Sequence, residues 1–277
     1  MALADTQKKN GYKERLKVLL PYGMLATKKW LASQGLSNHA LDNAVKTKTL
    51  LLLTSGVYSQ YSRSIRWEGV IASLQRMEKA SVPAVHVGGI SALSLSGVFQ
   101  YLPLGNQVVS LYTFNKLPAW LSRLSLDVAF KGYSVKTLWP ESLMADRRYL
   151  KEYEWDNALP PVYYSCPEKA ILELLTGVPE NISFEHADEL MQGLVNLSPR
   201  KLDGLLQACR NVKAKRLFFW LAARQNYSWF GKLNRSDYDF GSGKRVVATG
   251  GKLDKDYLIT VPAHMTKGNR DSIDEPQ

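Results

Sequence analysis

The segment SNHALDNAVK, residues 37–46, concentrates side chains suited to reading another molecule. At helical spacing Asn38, His39, Asp42, Asn43 and Lys46 fall on one face, and Leu41, Ala44 and Val45 on the other. An asparagine can bond bidentately to adenine. A lysine can reach guanine or a phosphate, and a serine at a helix N-terminus can hold a phosphate. That chemistry is recognition of DNA, whose major groove admits an α-helix. Ser37, Asn38, His39, Asn43 and Lys46 are the candidate contacts on this helix. Thr27, Lys28 and Lys29 begin the segment before it, where backbone phosphates would lie; Lys48, Tyr58, Arg63 and Arg66 flank the segment after it. Asp42 opposes the reading, because a carboxylate repels phosphate. It can instead accept from cytosine or pair with Lys46 one turn on. The same face also fits a merely solvated helix, or a module that contacts protein.

Catalytic patterns are poor by comparison. The four histidines, His39, His86, His186 and His264, have no metal-ligand spacing with Cys, Asp or Glu. His86 lies between valines and reads as a strand residue. No Gly-x-Ser-x-Gly elbow occurs, and Cys166 has no recognisable base partner. GSGKR at 241–245 lacks the spacing of a phosphate loop and precedes a strand-like run, so it reads as a turn. Asp127 with Lys131 or Lys136 lacks the second carboxylate of a metal nuclease. No catalytic residue, metal or cofactor is therefore expected, and a DNA-cutting or DNA-modifying enzyme is the least supported reading. The basic stretch 200–216 (Arg200, Lys201, Arg210, Lys213, Lys215, Arg216) alternates with leucines. It reads as the solvated side of two helices, a second partner surface being the alternative.

The elements that would position the DNA-reading face can be followed along the chain. Residues 8–20 place Tyr12, Leu16, Leu19 and Leu20 at helical spacing, ended by Pro21 and Gly23. Thr27 can cap a short helix carrying Trp30 and Leu31, with Gly35 in its closing turn, and Ser37 can cap the next. Leu50–Leu53 and Val57–Gln60 read as strands joined by Thr54-Ser55-Gly56. Helix, helix, tight turn, helix and hairpin outline a winged helix-turn-helix. A basic link and a helix over EGVIASLQRMEKA follow. Then come a strand PAVHV, a Gly88-Gly89 turn, a short helix from Ser91, and strands QVVSLYTF and LDVAF. Ser165 and Glu168 have capping-box spacing before Ile171, Leu172, Leu174 and Leu175, with Pro167 in the first turn and Gly177 past the end. Further helices are predicted over 184–195, 199–210 and 213–224, then a hairpin pairing KRVVATG with DYLITVP. The fold class is α+β: a winged helix-turn-helix over 1–67, a larger mixed α/β domain over 68–265, and a polar, disordered tail over 266–277.

Composition agrees with a globular chain of this kind. Of 277 residues, 45% are hydrophobic and 22% charged. The net charge is +11, of which residues 1–67 supply +8 through 11 basic and 3 acidic side chains. Positive charge gathered in the first quarter favours a polyanionic partner for that part. No signal peptide is legible, and no apolar run reaches the roughly 18 residues of a membrane span. LLLL at 50–53 and LFFWLAA at 217–223 read as core segments. Two unpatterned cysteines suit a reducing cytoplasm.

Four stretches in this order resemble the AbiEi-type antitoxins of bacterial abortive-infection, type IV toxin–antitoxin systems. They are the N-terminal winged helix with its wing at about 50–60, HVGGISALSLSGVFQYLPLGNQVVSLYTFNKLPAWL at 86–121, SCPEKAILELL at 165–175, and GKRVVATGGKLDKDYLITVP at 243–262. The resemblance implies an N-terminal domain that binds operator DNA upstream of its own operon and represses it. It implies a larger C-terminal domain that counteracts a nucleotidyltransferase-like toxin without requiring a stable complex. It implies a cytoplasmic, nucleoid-associated bacterial protein. No catalytic motif of that family maps onto this chain. The alternative is a winged-helix transcriptional regulator whose C-terminal domain senses a ligand or partner.

Overall fold

The computed structural model describes residues 14–61, 65–78, 84–98, 107–144 and 146–266. Arg63 and the tail from 267 lie outside the described residues. The chain divides into two compact units. The first comprises residues 1–86, 103–133 and 152–163; the second comprises 87–102, 134–151 and 164–277.

In the first unit α1, helical over 14–19, buries Leu16 and places buried Leu20 just past its end. A turn at Pro21–Met24 follows (Met24 N–H to the Pro21 carbonyl, 3.1 Å), with Gly23 at φ +90°. It leads into β1 (Leu25–Thr27), α2 (Lys28–Ser33) and α3 (Asn38–Lys46). The wing follows as β2 (Leu50–Thr54) and β3 (Val57–Gln60), and then α4 (Trp67–Met77). The three strands form one antiparallel sheet in the order β1-β3-β2, with Ala26 opposite Tyr58 and Leu52 opposite Tyr58 on the other side.

Strand β1 was not expected. It has three residues and runs straight into the Thr27 cap, too short to show a period of two. The Leu50–Leu53 expectation also needs correction. Leu50 is buried, but Leu51 and Leu52 are 40% and 49% exposed, because β2 is an edge strand with little to cover it.

β4 (Val85–Val87), α5 (Gly89–Leu95), β5 (Gln107–Thr113), β6 (Val128–Ser134), α6 (Glu141–Met144), β7 (Leu150–Tyr153) and β8 (Val162–Ser165) come next. The five strands make a sheet in the order β6-β5-β4-β8-β7, with β4 and β8 parallel at Val87 and Tyr164. Gly88 and Gly89 form the N-terminus of α5 rather than a separate turn, so that helix starts before Ser91.

The second unit is built on α7 (Pro167–Leu175), α8 (Phe184–Gln192), α9 (Pro199–Ala208) and α10 (Val212–Gln225). Residues Glu168 to Leu175 of α7 are buried all round. The expected capping box does not form. Pro167 at the first helical position forces its predecessor into extended backbone, so Cys166 is the N-cap and the Ser165–Glu168 register is lost. Both side chains find other partners: the Ser165 hydroxyl donates to Glu173 (2.8 Å), and Glu168 accepts the Ser198 backbone N–H (2.8 Å). Glu173 also accepts the Gly89 N–H (3.2 Å) and faces the buried ammonium of Lys169 at 3.8 Å.

Arg216, on α10, is 1% exposed. Its guanidinium donates to the carbonyls of Phe240 (2.6 and 2.9 Å), Gly241 (3.1 Å), Gly243 (2.7 Å) and Leu258 (2.9 Å). This corrects two expectations. The 200–216 stretch is not simply a solvated basic side, since Lys215 and Arg216 are buried and Lys213 donates to the Val178 carbonyl (2.6 Å). Nor do residues 244–250 form a strand. The carbonyls that hold the guanidinium come from 240–243 and Leu258; within 244–250 Arg245 makes a single bridge to Ile259 and the Val247 and Ala248 N–H groups donate to the Thr260 hydroxyl, and the closing hairpin pairs β9 (Lys252–Asp254) with β10 (Ile259–Val261). LFFWLAA at 217–223 supplies core: Leu217 to Ala222 are all buried.

Candidate nucleic-acid interface

The reading face starts from two capped helices. The Thr27 hydroxyl accepts the Trp30 N–H (3.2 Å) at the start of α2, and the Ser37 hydroxyl accepts the Ala40 N–H (3.2 Å) at the start of α3. Leu31, Leu36, Leu41 and Ala44 are buried beneath them. The turn between them places Gly35 at φ +85°, and the Arg15 guanidinium of α1 clamps it by donating to the Gln34 carbonyl (2.6 Å). Sequence reasoning missed Arg15, because a contact nineteen residues away leaves no local signal. The wing is tied to the same motif through the Lys28 N–H, which donates to the Gly56 carbonyl (2.7 Å).

Burial of Leu41 and Ala44 turns the other side of α3 outward. Asn38, His39, Asp42, Asn43 and Lys46 are all exposed there, and Ser37 and Lys29 are exposed beside them. His39 Nδ1 and Asn43 Nδ2 lie 3.2 Å apart, so the two side chains orient each other one turn apart. Asp42 does not pair with Lys46. Its carboxylate lies 3.6 Å from the Lys28 ammonium of α2. Lys48 follows α3 in left-handed backbone at φ +55° and is exposed.

Two of the expected contacts are placed differently. Tyr58 is 5% exposed in the centre strand of the three-stranded sheet, so it is a core residue with little surface to offer a phosphate. Arg66 forms an ion pair with Glu68 and lies over the Trp155 ring at 5.7 Å, which ties its charge to its own unit. Arg63 lies outside the described residues.

Other potentially reactive groups are structural. Burial pushes the Cys166 thiol up to about 12 and the Cys209 thiol up to about 11, away from the thiolate needed for attack. His264 and His186 sit in exposed pairs with Glu185 (2.9 Å) and Glu189 (3.1 Å). Among the described residues, no group of three His, Cys, Asp or Glu is placed to hold a metal. No helix among them is long and apolar enough to cross a membrane.

Comparison with known proteins gives two family matches. Residues 12–104 match the model described as the AbiEi antitoxin N-terminal domain of a transcriptional regulator. Residues 106–262 match that described as a transcriptional regulator, AbiEi antitoxin, type IV TA system. No curated protein matches the chain. Among solved structures, the RV2827C protein from Mycobacterium tuberculosis is similar at 17% identity, over 85% of each chain, with a TM-score of 0.48.

Proposed function

The chain belongs to the AbiEi antitoxin family, transcriptional regulators of type IV toxin–antitoxin systems, and from that premise we propose that it represses its own operon by inserting α3 into the major groove of operator DNA. The observation that carries this is the exposed Asn38, His39, Asn43 and Lys46 face, held by two capped helices and flanked by a wing. Ser37, Thr27, Lys28, Lys29 and Lys48 supply the phosphate contacts around it. The reading module is residues 1–67; residues 68–265 carry antitoxicity toward a nucleotidyltransferase-like toxin, without a stable complex between them. The protein works in the bacterial cytoplasm at the nucleoid, in abortive infection.

Gel-shift titration against the DNA upstream of its own gene tests the first half. Equal affinity for scrambled DNA would refute operator recognition. Within that assay Asn43→Ala is expected to cost about 1–3 kcal/mol on the operator and to relax preference at one base position. It also frees His39 from its partner, so the loss should exceed that of an isolated contact.

Asp42→Asn is expected to act in the opposite direction. The substitution removes a negative charge from the face and releases Lys28 from its partner. Affinity should rise on operator and scrambled DNA alike. The gain should fade as salt is raised, because its source is charge. Affinity for scrambled DNA equal to that of the parent chain at low salt would mean that the Asp42 carboxylate does not face the phosphates. Co-expression with the adjacent toxin gene tests the second half: a full-length chain carrying Asn43→Ala and Lys46→Ala that still restores growth supports the division of labour, and loss of rescue in that variant refutes it.

A further inference from the structure

A cavity of about 420 Å³ opens in the first unit beside α2. That volume is within the range of small-molecule sites. Its walls are largely apolar and aromatic: Trp30 of α2, Leu74 and Met77 of α4, and Leu117, Pro118 and Trp120 of the segment after β5. The Trp120 indole gives it a surface on which a flat ring stacks, and Trp30, over whose ring the Arg76 guanidinium lies at 5.5 Å, adds a second aromatic wall.

Its charges are unevenly disposed. Glu78 also lines it, but that carboxylate already accepts the backbone N–H groups of Ala84 (2.5 Å) and Val85. Lys29 and Lys116, both exposed, have no ion pair among the described residues and stand at the rim. An entering molecule thus meets aromatic walls and two available ammonium groups.

The cavity also shares residues with the cap of α2. Thr27 fixes that cap twice: its backbone N–H donates to the Met77 sulfur (3.4 Å), and its hydroxyl accepts the Trp30 N–H (3.2 Å). Met77 and Trp30 are both wall residues. A molecule in the cavity would therefore touch both residues that hold Thr27, the N-cap of α2, and α3 follows α2 through the Gly35 turn.

We propose that this cavity is an effector site for a small planar aromatic anion, and that its occupancy changes the affinity of α3 for DNA. The binding half rests on the cavity alone; the coupling half rests on the DNA-reading role proposed above.

The fluorescent dye 8-anilinonaphthalene-1-sulfonate is a suitable probe, with uncharged N-phenyl-1-naphthylamine as its control. The full-length chain should bind the sulfonate saturably, one per chain. Trp120→Ala should weaken this about tenfold through lost stacking and burial. Lys116→Glu, on the surface, should weaken the sulfonate about threefold or more and leave the uncharged dye unchanged. Saturating sulfonate should shift the Kd for upstream DNA by about threefold or more, and DNA should shift the Kd for dye by the same factor. Dye binding that both variants leave intact, or that does not saturate at one site, overturns the site. An unchanged Kd for DNA with dye bound overturns the coupling. If the dye-free chain binds no upstream DNA, the DNA-reading role fails instead, and the cavity is decided by the dye measurements alone.

Discussion

Arg216→Ala lowers the stability of the second unit by about 3 kcal/mol, since five hydrogen bonds with a net worth of roughly 1 kcal/mol each are lost together and part of the loss is made up by water. Five hydrogen bonds disappear at once; the carbonyls of Phe240, Gly241 and Gly243 lose the guanidinium, while that of Leu258 keeps the Arg245 N–H (2.9 Å). A buried acceptor left unpaired costs about 1–3 kcal/mol. Part of that is recovered where the 240–258 segment loosens and takes up water. Arg216→Lys restores only a fraction, because an ammonium has three donors on a flexible stem and cannot span four carbonyls as a planar fork does. Urea unfolding followed by tryptophan fluorescence measures the loss. A change within about 0.5 kcal/mol, the range of ordinary surface substitutions, would show that the guanidinium does not organise this segment. Limited proteolysis adds a local readout: cleavage should move into residues 240–258 before the rest of the unit opens.

Gly69→Ala is the second large effect, and the structure reverses its sign. Propensity alone favours Ala over Gly inside a helix by about 1 kcal/mol. Gly69, in the first turn of α4, lies under the turn at Gly23. A Cβ there would sit inside the contact distance of the Gly23 carbonyl oxygen and 3.1 Å from Trp155. Backbone cannot move aside as a side chain does, and Gly23 is already fixed at φ +90°. The turn it closes leads straight into β1. The substitution should therefore destabilise by about 3 kcal/mol, at the upper end of overpacking costs. It should also impair DNA binding from a distance, since β1, the Thr27 cap and α2 follow from that turn. Thermal unfolding and a parallel DNA titration check both; a Tm equal to or above that of the parent chain would contradict the close approach.

The contrast between these positions shows what the sequence makes legible. Ser37, Thr27 and Gly35 could be assigned because a cap and a left-handed turn act within four residues, and each residue type states its own reason. The buried run in α10 was legible through hydrophobicity alone. Contacts made at a distance were not. Arg216 looked like one more cation in a basic stretch, because a side chain's partners twenty-four residues on leave no mark beside it. Spacing offered Asp42 either a cytosine or Lys46, but the charge its carboxylate meets is Lys28, fourteen residues earlier. Ser165 and Glu168 matched a capping pattern that Pro167 had already displaced by one residue. Of the candidate site, the exposed face of α3 follows from the burial of Leu41 and Ala44. Tyr58 is buried in the centre strand of a sheet whose third strand, three residues long, is invisible in the sequence.

The two cysteines have a practical consequence. Both lie in the second unit, both are buried, and the first unit has none. Their thiols stay protonated at neutral pH, so a maleimide or a peroxide gains little from them while that unit remains closed. The native chain thus carries an internal clock: the rate at which its thiols are modified reports how often one unit opens and is blind to the other. Opening of the winged helix has to be followed by a different signal.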